Sequence, residues 1–106
     1  MAKYVLSLQA EDDLEGIYEY TLTTWGVDQF HIYRKAIEEA LGAVAANPML
    51  PGSKARDDLL EDVRLYRVEH HYIAYRVRRR RVEVGRILHE SMHFEAQVSE
   101  EKFEPR

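Results

Sequence analysis

The chain predicts an α+β domain in which an antiparallel helical hairpin packs on one face of an antiparallel β-sheet. Three observations predict it. Apolar residues recur at helical spacing through the first half of the 106 residues. From Asp62 onward the apolar period falls to two. Gly26 and Asn47-Pro48 stand where two successive helices have to end.

Each element follows in order. Lys3 to Leu8 reads as a first strand, with Tyr4, Val5 and Leu6 supplying bulk that favours extended backbone. Leu14, Ile17, Tyr18, Leu22 and Trp25 then form one stripe of a helix from about Ala10 to Trp25. Glu11, Asp12 and Asp13 fall in its first turn, where negative charge complements the helix dipole. Gly26 is expected to cap it in a left-handed conformation. Phe30, Tyr33, Ile37, Leu41 and Val44 mark the buried stripe of a second helix. A link this short makes the two helices antiparallel neighbours. Tyr18, Trp25, Phe30 and Tyr33 are therefore expected in the core. Met49 to Glu61, with Pro51, Gly52 and Ser53, reads as an exposed loop.

The second half alternates. Val63, Leu65 and Arg67 oppose Arg64, Tyr66 and Val68. His71, Ile73, Tyr75 and Val77 oppose Tyr72, Ala74 and Arg76. Val82, Val84, Arg86 and Leu88 oppose Glu83, Gly85, Ile87 and His89. These runs predict a three-strand antiparallel meander whose last two strands meet at Arg78 to Arg81. That arginine run reads as a solvated hairpin tip that also blunts edge pairing. The length supports one domain, assigned to residues 1–98, with an acidic tail over residues 99–106.

Composition narrows the function classes. The chain is 45% hydrophobic and has no cysteine, which rules out disulfides and thiolate metal sites. Its start is charged and carries no apolar run long enough for a signal peptide or a membrane span, so a cytoplasmic protein is expected. The net charge of −4 hides an asymmetry. Acids crowd the first helix, whereas Arg64, Arg67, Arg76, Arg86 and the run at 78–81 make the stretch from Val63 to His89 basic. An acidic partner on one face fits this division; a general nucleic-acid coat does not.

The motifs carry more. Tyr4-x-Leu6-Ser7-x-x-Ala10-x-x-Asp13-Leu14-x-x-Ile17-x-x-Tyr20 resembles the opening of ParE toxins, a branch of the RelE/ParE superfamily. Trp25-Gly26, Tyr33 and Asn47-Pro48 continue the resemblance, and Val63 to Val77 resembles the paired strands of that family. Val84-Gly85-Arg86-Ile87-Leu88-His89-Glu90-Ser91-Met92 is similar to its closing element, although His93 stands where a basic or Asp residue is usual. The resemblance spans roughly Tyr4 to Val98. It implies a RelE/ParE-like fold, a type II toxin, neutralisation by a ParD-like antitoxin, and inhibition of DNA gyrase without chemistry of its own.

For partner binding, Arg64, Arg67, Arg76 and Arg86 offer forked donors that match carboxylates. Tyr72 and Tyr75 are aromatic anchors beside them, and His89 and Met92 close the set. An apolar groove beside the helices is expected to share the antitoxin contact. A RelE-type mRNA nuclease is the competing reading, with His89 or His93 as base and Arg64 or Arg86 as phosphate clamp. A non-toxic binding module is the third. His70-His71 and His89-x-x-x-His93 have no ligand set to complete a metal site, so neither metal nor cofactor is expected.

Overall fold

The computed structural model describes residues 4–103. Its elements are β1 (Tyr4–Leu6), α1 (Leu8–Trp25), α2 (Val27–Ala46), β2 (Lys54–Ala55), β3 (Arg64–Val68), β4 (His71–Arg78), β5 (Arg81–His89) and the short α3 (Phe94–Gln97), followed by a 3₁₀ turn over Glu100–Phe103. The helical hairpin and the meander are as the apolar periods predict. Lys3, expected in the first strand, lies outside the described residues.

The sheet is mixed, which corrects the expectation of an antiparallel one. Its order is β1-β5-β4-β3-β2. β1 runs parallel to β5, with Tyr4 opposite Val82 and Leu6 opposite Val84. The chain leaves β1 and turns at once into α1, so it can return to the sheet beside β1 only after a long crossover. Ser7 makes that turn. Its amide donates to Val84 O at 2.9 Å, its hydroxyl donates to Gly85 O at 2.7 Å, and the same oxygen caps α1 by accepting from Ala10 N at 3.0 Å. A second correction lies in the expected loop, where Lys54 and Ala55 pair antiparallel with Leu65 and Arg64.

Gly26 ends α1 and starts α2 with φ 94° and ψ 175°. The positive φ is as expected, but the extended ψ makes it a glycine-only conformation rather than the left-handed helical one. Its amide still donates to Leu22 O at 3.1 Å, and its carbonyl accepts from Phe30 N at 3.1 Å, which joins the two helices without a linker.

Both sheet faces are covered. Ile37, Leu41 and Val44 of α2 and Ala10 of α1 bury Val68, Ile73, Tyr75, Val84 and Ile87 on one side. On the other, Val63, Leu65, Ala74 and Leu88 are covered by Val98 and Phe103. The segment from residue 99, expected as an acidic tail, thus packs on the sheet as far as it is described, with Phe103 only 2% exposed. A register shift between Ala74 and Tyr75 lets Gly85 bulge from β5. The bulge moves Ile87 onto the helix-covered face and Arg86 and Leu88 onto the other, unlike the unbroken alternation read from the sequence.

Candidate functional site

A groove of about 840 Å³ opens between α1, the start of α2 and the end of the sheet where β4 begins and β5 stops. Helical spacing builds one wall. Asp12, Asp13, Gly16, Ile17, Tyr20 and Thr21 return every three or four residues, and Trp25 completes the row a turn later. Gly16 hollows that wall, since a Cβ placed there would meet no atom within 4 Å. Tyr33 of α2 forms the floor, with His70, His71, Ile87, His89 and Met92 opposite.

The rim is apolar and open. Trp25 is 66% exposed and Tyr20 63%, and Met92 is exposed as well. Of the four aromatics expected in the core, only Tyr33 is buried; Tyr18 and Phe30 are half-buried against one another, and Trp25 lies at the surface. The reason is local. Thr21 is the last buried residue of α1, and the turn after it leaves Leu22 and Trp25 uncovered by the described chain.

The floor is polar and ordered. Tyr33 Oη is hydrogen-bonded to His71 Nδ1, and the His71 ring meets His89 edge to face at 5.2 Å. Burial, then the nearby His89 and His70, push the His71 imidazole down to about 4, which keeps it neutral at ordinary pH. His89 Nδ1 accepts from Ser91 N at 3.1 Å and lies 2.7 Å from Ser91 Oγ. At the outer edge Glu90 bridges His70 Nδ1 at 2.9 Å and Arg67 Nη2 at 2.8 Å. The His70 contact first, and the Arg67 charge with it, hold the Glu90 carboxyl below its usual range.

The residues expected to bind a partner are dispersed by this structure. His89 and Met92 line the groove, and Arg67 lies at its edge through Glu90. Tyr72 is half-buried on the far face, in edge contact with Phe94. Arg64 is half-buried and donates to Ser53 O and Oγ at 3.2 and 2.9 Å. Tyr75 is fully buried, its hydroxyl donating to Pro48 O at 2.6 Å, so it is a core residue here. Arg76 is buried against Glu83 at 3.0 Å, also bonded to Glu100 and stacked 4.8 Å from the centre of the Phe103 ring. Arg86 is buried on Asp13 and Gln97. Sheet arginines read as forks for a partner's carboxylates are thus largely engaged by this chain's own acids.

The groups a nuclease would need are not gathered either. Arg64 is turned to Ser53, Arg86 is occupied by Asp13 and Gln97, and His93 does not line the groove. Among the described residues no three His, Asp or Glu side chains converge on a point that could hold a metal ion, and no helix is long and apolar enough to cross a membrane. The groove residues that sequence reasoning did not assign to a site include Asp12, Gly16, Tyr20 and Gln29. A helical wheel places all but Gln29 on one side of α1, which is the signal that could have found them.

Comparisons with known proteins identify the family. Residues 4–94 match the family model described as ParE toxin of type II toxin-antitoxin system, parDE. The chain belongs to the ParE toxin family. Toxin ParE1 of Mycobacterium tuberculosis strain H37Rv is 34% identical over 92 residues, covering 86% of this chain and 92% of the relative. Toxin ParE1 of Caulobacter vibrioides is 32% identical over 98 residues, 92% of this chain and 99% of the relative. Toxin ParE of Escherichia coli is 36% identical over 73 residues, 69% of each chain. A solved structure of the chromosomal ParDE system from P. aeruginosa superposes with a TM-score of 0.68 at 20% identity, over 84% of this chain and 96% of that one. At that identity the likeness establishes the ParE fold alone. The family match ends at Phe94, so most of the segment that covers the second sheet face lies beyond it.

Proposed function

We propose that the chain acts as a type II toxin by binding DNA gyrase, and that a ParD-like antitoxin neutralises it by filling the groove between α1 and the end of the sheet. The observation that carries this reading is the open groove with Tyr20, Trp25 and Met92 on its rim. Large exposed aromatics around a hollow are what protein interfaces use as anchors. An amphipathic antitoxin segment laid in such a groove would bury them. The acids on the outside of α1, Asp12, Glu15 and Glu19, favour a segment with basic residues along its edge.

Gyrase as target rests on membership of the ParE family and on the sequence motifs that resemble it. The toxin would act by contact and leave strand breakage to gyrase, so it requires no catalytic group of its own. Support comes from the engagement of Arg64 by Ser53 and of Arg86 by Asp13, and from the place of His93 outside the groove, since these are pieces of the competing nuclease. The test is a supercoiling assay with purified toxin, ATP, gyrase and relaxed plasmid, run beside cell-free translation. Loss of supercoiling with trapped linear DNA and normal translation is the expected result. Arrested translation with normal supercoiling would replace gyrase by the ribosome.

A further inference from the structure

The β4–β5 hairpin closes on a two-residue turn, since Arg78 pairs with Arg81. Arg79 and Arg80 occupy its centre with φ 53° and 64°. Two consecutive positive φ angles match the right-handed twist of the strands, and Asn-Gly is the pair that adopts them most readily. Arginine has a Cβ that disfavours this conformation, and adjacent like charges repel. The fold by itself therefore does not account for arginines at these positions.

Edge protection accounts for them only in part, because the turn itself stands beyond the strands. β4 lies between β3 and β5, and β5 lies between β4 and β1, with Val82 already paired to Tyr4. The pairing of β3 with β4 ends at Arg64 opposite Tyr75, so Arg76 to Arg78 run past β3 and only that short length of edge lies beside the tip.

The charges are available. Arg78 meets exposed Asp62 at 3.1 Å. Among the described residues no carboxylate pairs with Arg79, Arg80 or Arg81, and Arg81 Nε is buried without a hydrogen-bond partner. Arg79 and Arg80 are exposed. Exposed Val77 is too small an apolar surface beside them to anchor a protein partner. A ligand made of closely spaced anions suits the tip better. Duplex nucleic acid presents one charge about every 1.7 Å of its axis, so neighbouring guanidiniums on a rigid turn can engage phosphates together.

We propose that the turn Arg78–Arg81 is a sequence-independent contact for the phosphodiester backbone of double-stranded nucleic acid. The net charge of −4 confines that contact to the tip, because the acidic helices repel a polyanion elsewhere. The inference does not depend on gyrase being the target, since the contact is read with nucleic acid alone.

The experiment is fluorescence anisotropy of the full-length protein with a short DNA duplex and with an RNA duplex of equal length, over a series of salt concentrations. The double variant Arg79→Asn/Arg80→Gly should bind about tenfold more weakly at low salt, and its slope of log K on log salt should be shallower by about 2. Its melting temperature should rise, because Asn-Gly relaxes the turn; loss of binding would then not be loss of fold. Arg79→Lys/Arg80→Lys should keep the slope. Equal loss on DNA and RNA supports a general backbone contact, and loss on DNA alone assigns the contact to the DNA duplex. An unchanged slope in the Asn/Gly variant, or no duplex binding by the parent protein at low salt, overturns the proposal.

Discussion

Asp13 receives the guanidinium of Arg86 as a fork, with Nε at 2.8 Å and Nη2 at 3.0 Å, and the same carboxylate accepts the amide of Ile87 at 2.9 Å. β1 stops pairing with β5 at Val84, so the amide of Ile87 faces a bare stretch of strand. One acid thus ties the groove wall to the sheet and satisfies an amide that has no strand neighbour on the β1 side. The Arg86 and Asp13 side chains are 7% and 15% exposed, so water contributes little to either charge.

Asp13→Ala should lower the unfolding free energy by about 3–5 kcal/mol, because it leaves the Arg86 guanidinium buried beside an unpaired amide. That is a large share of the roughly 5–15 kcal/mol of an ordinary domain. Urea unfolding monitored through Trp25 measures it. A change below about 1 kcal/mol would mean that the pair closes over a surface water-filled gap and carries little energy.

Gly85 and Phe103 form a second coupled pair. A Cβ on Gly85 would fall 2.4 Å from the Phe103 ring, closer than real side chains approach. Gly85→Ala should cost about 1–3 kcal/mol by pushing the ring out of its seat. Phe103→Ala should cost about 3–5 kcal/mol. The double variant should cost clearly less than the sum, since no ring is then left to collide with. Additive losses would place the two effects in separate regions.

Acid should weaken the fold through the groove floor. His71 titrates at about 4 when folded and near 6.5 when unfolded. Between those values the unfolded chain holds a proton that the folded one lacks, so stability is level above about 6.5 and falls as pH drops toward 4. Glu90, held low by His70 and Arg67, adds a loss of the same sign as pH falls through its range. Urea midpoints across that window should decline in the parent protein, and His71→Gln should flatten the decline. A parent midpoint independent of pH here would contradict the buried, neutral imidazole.

Antitoxin affinity is the measure for the groove. Trp25→Ala removes an exposed anchor and should weaken binding of a ParD-like antitoxin by about 2 kcal/mol, roughly thirtyfold. Gly16→Arg should fill the hollow in α1 and weaken binding at least as much, while circular dichroism stays unchanged because its Cβ meets open space. Calorimetry reads both. Affinity unchanged in the two variants would move the docking surface off this groove.

The sequence showed the helices and meander because their signals are local. Ile37, Leu41 and Val44 sit at helical spacing, and Tyr72 to Val77 alternate. The parallel seat of β1 left no such trace, since three residues can pair with any open strand and the choice of β5 depends on where the helices return the chain. The bulge at Gly85 was equally hidden, and it reversed the faces assigned to Arg86 and Ile87. The site was legible as chemistry and poorly as geometry. Basic sheet residues stood out, but a guanidinium gives no sign of whether its acid belongs to a partner or, as with Asp13 and Glu83, to its own chain. Trp25 shows the converse error, an apolar residue in register with the core stripe that runs beyond the end of the core.

The parallel pairing of Tyr4 with Val82 also sets an order of events. Those partners are 78 positions apart (82 − 4). At about 5–20 residues per second, synthesis separates their appearance by roughly 4–16 s. The helical hairpin is complete early in that interval, whereas Ser7 cannot find the carbonyl of Gly85 until the last strand exists. A nascent chain therefore carries a finished hairpin and a loose first strand for seconds, and the wall of the groove meets the sheet end of its floor only once β5 has been made.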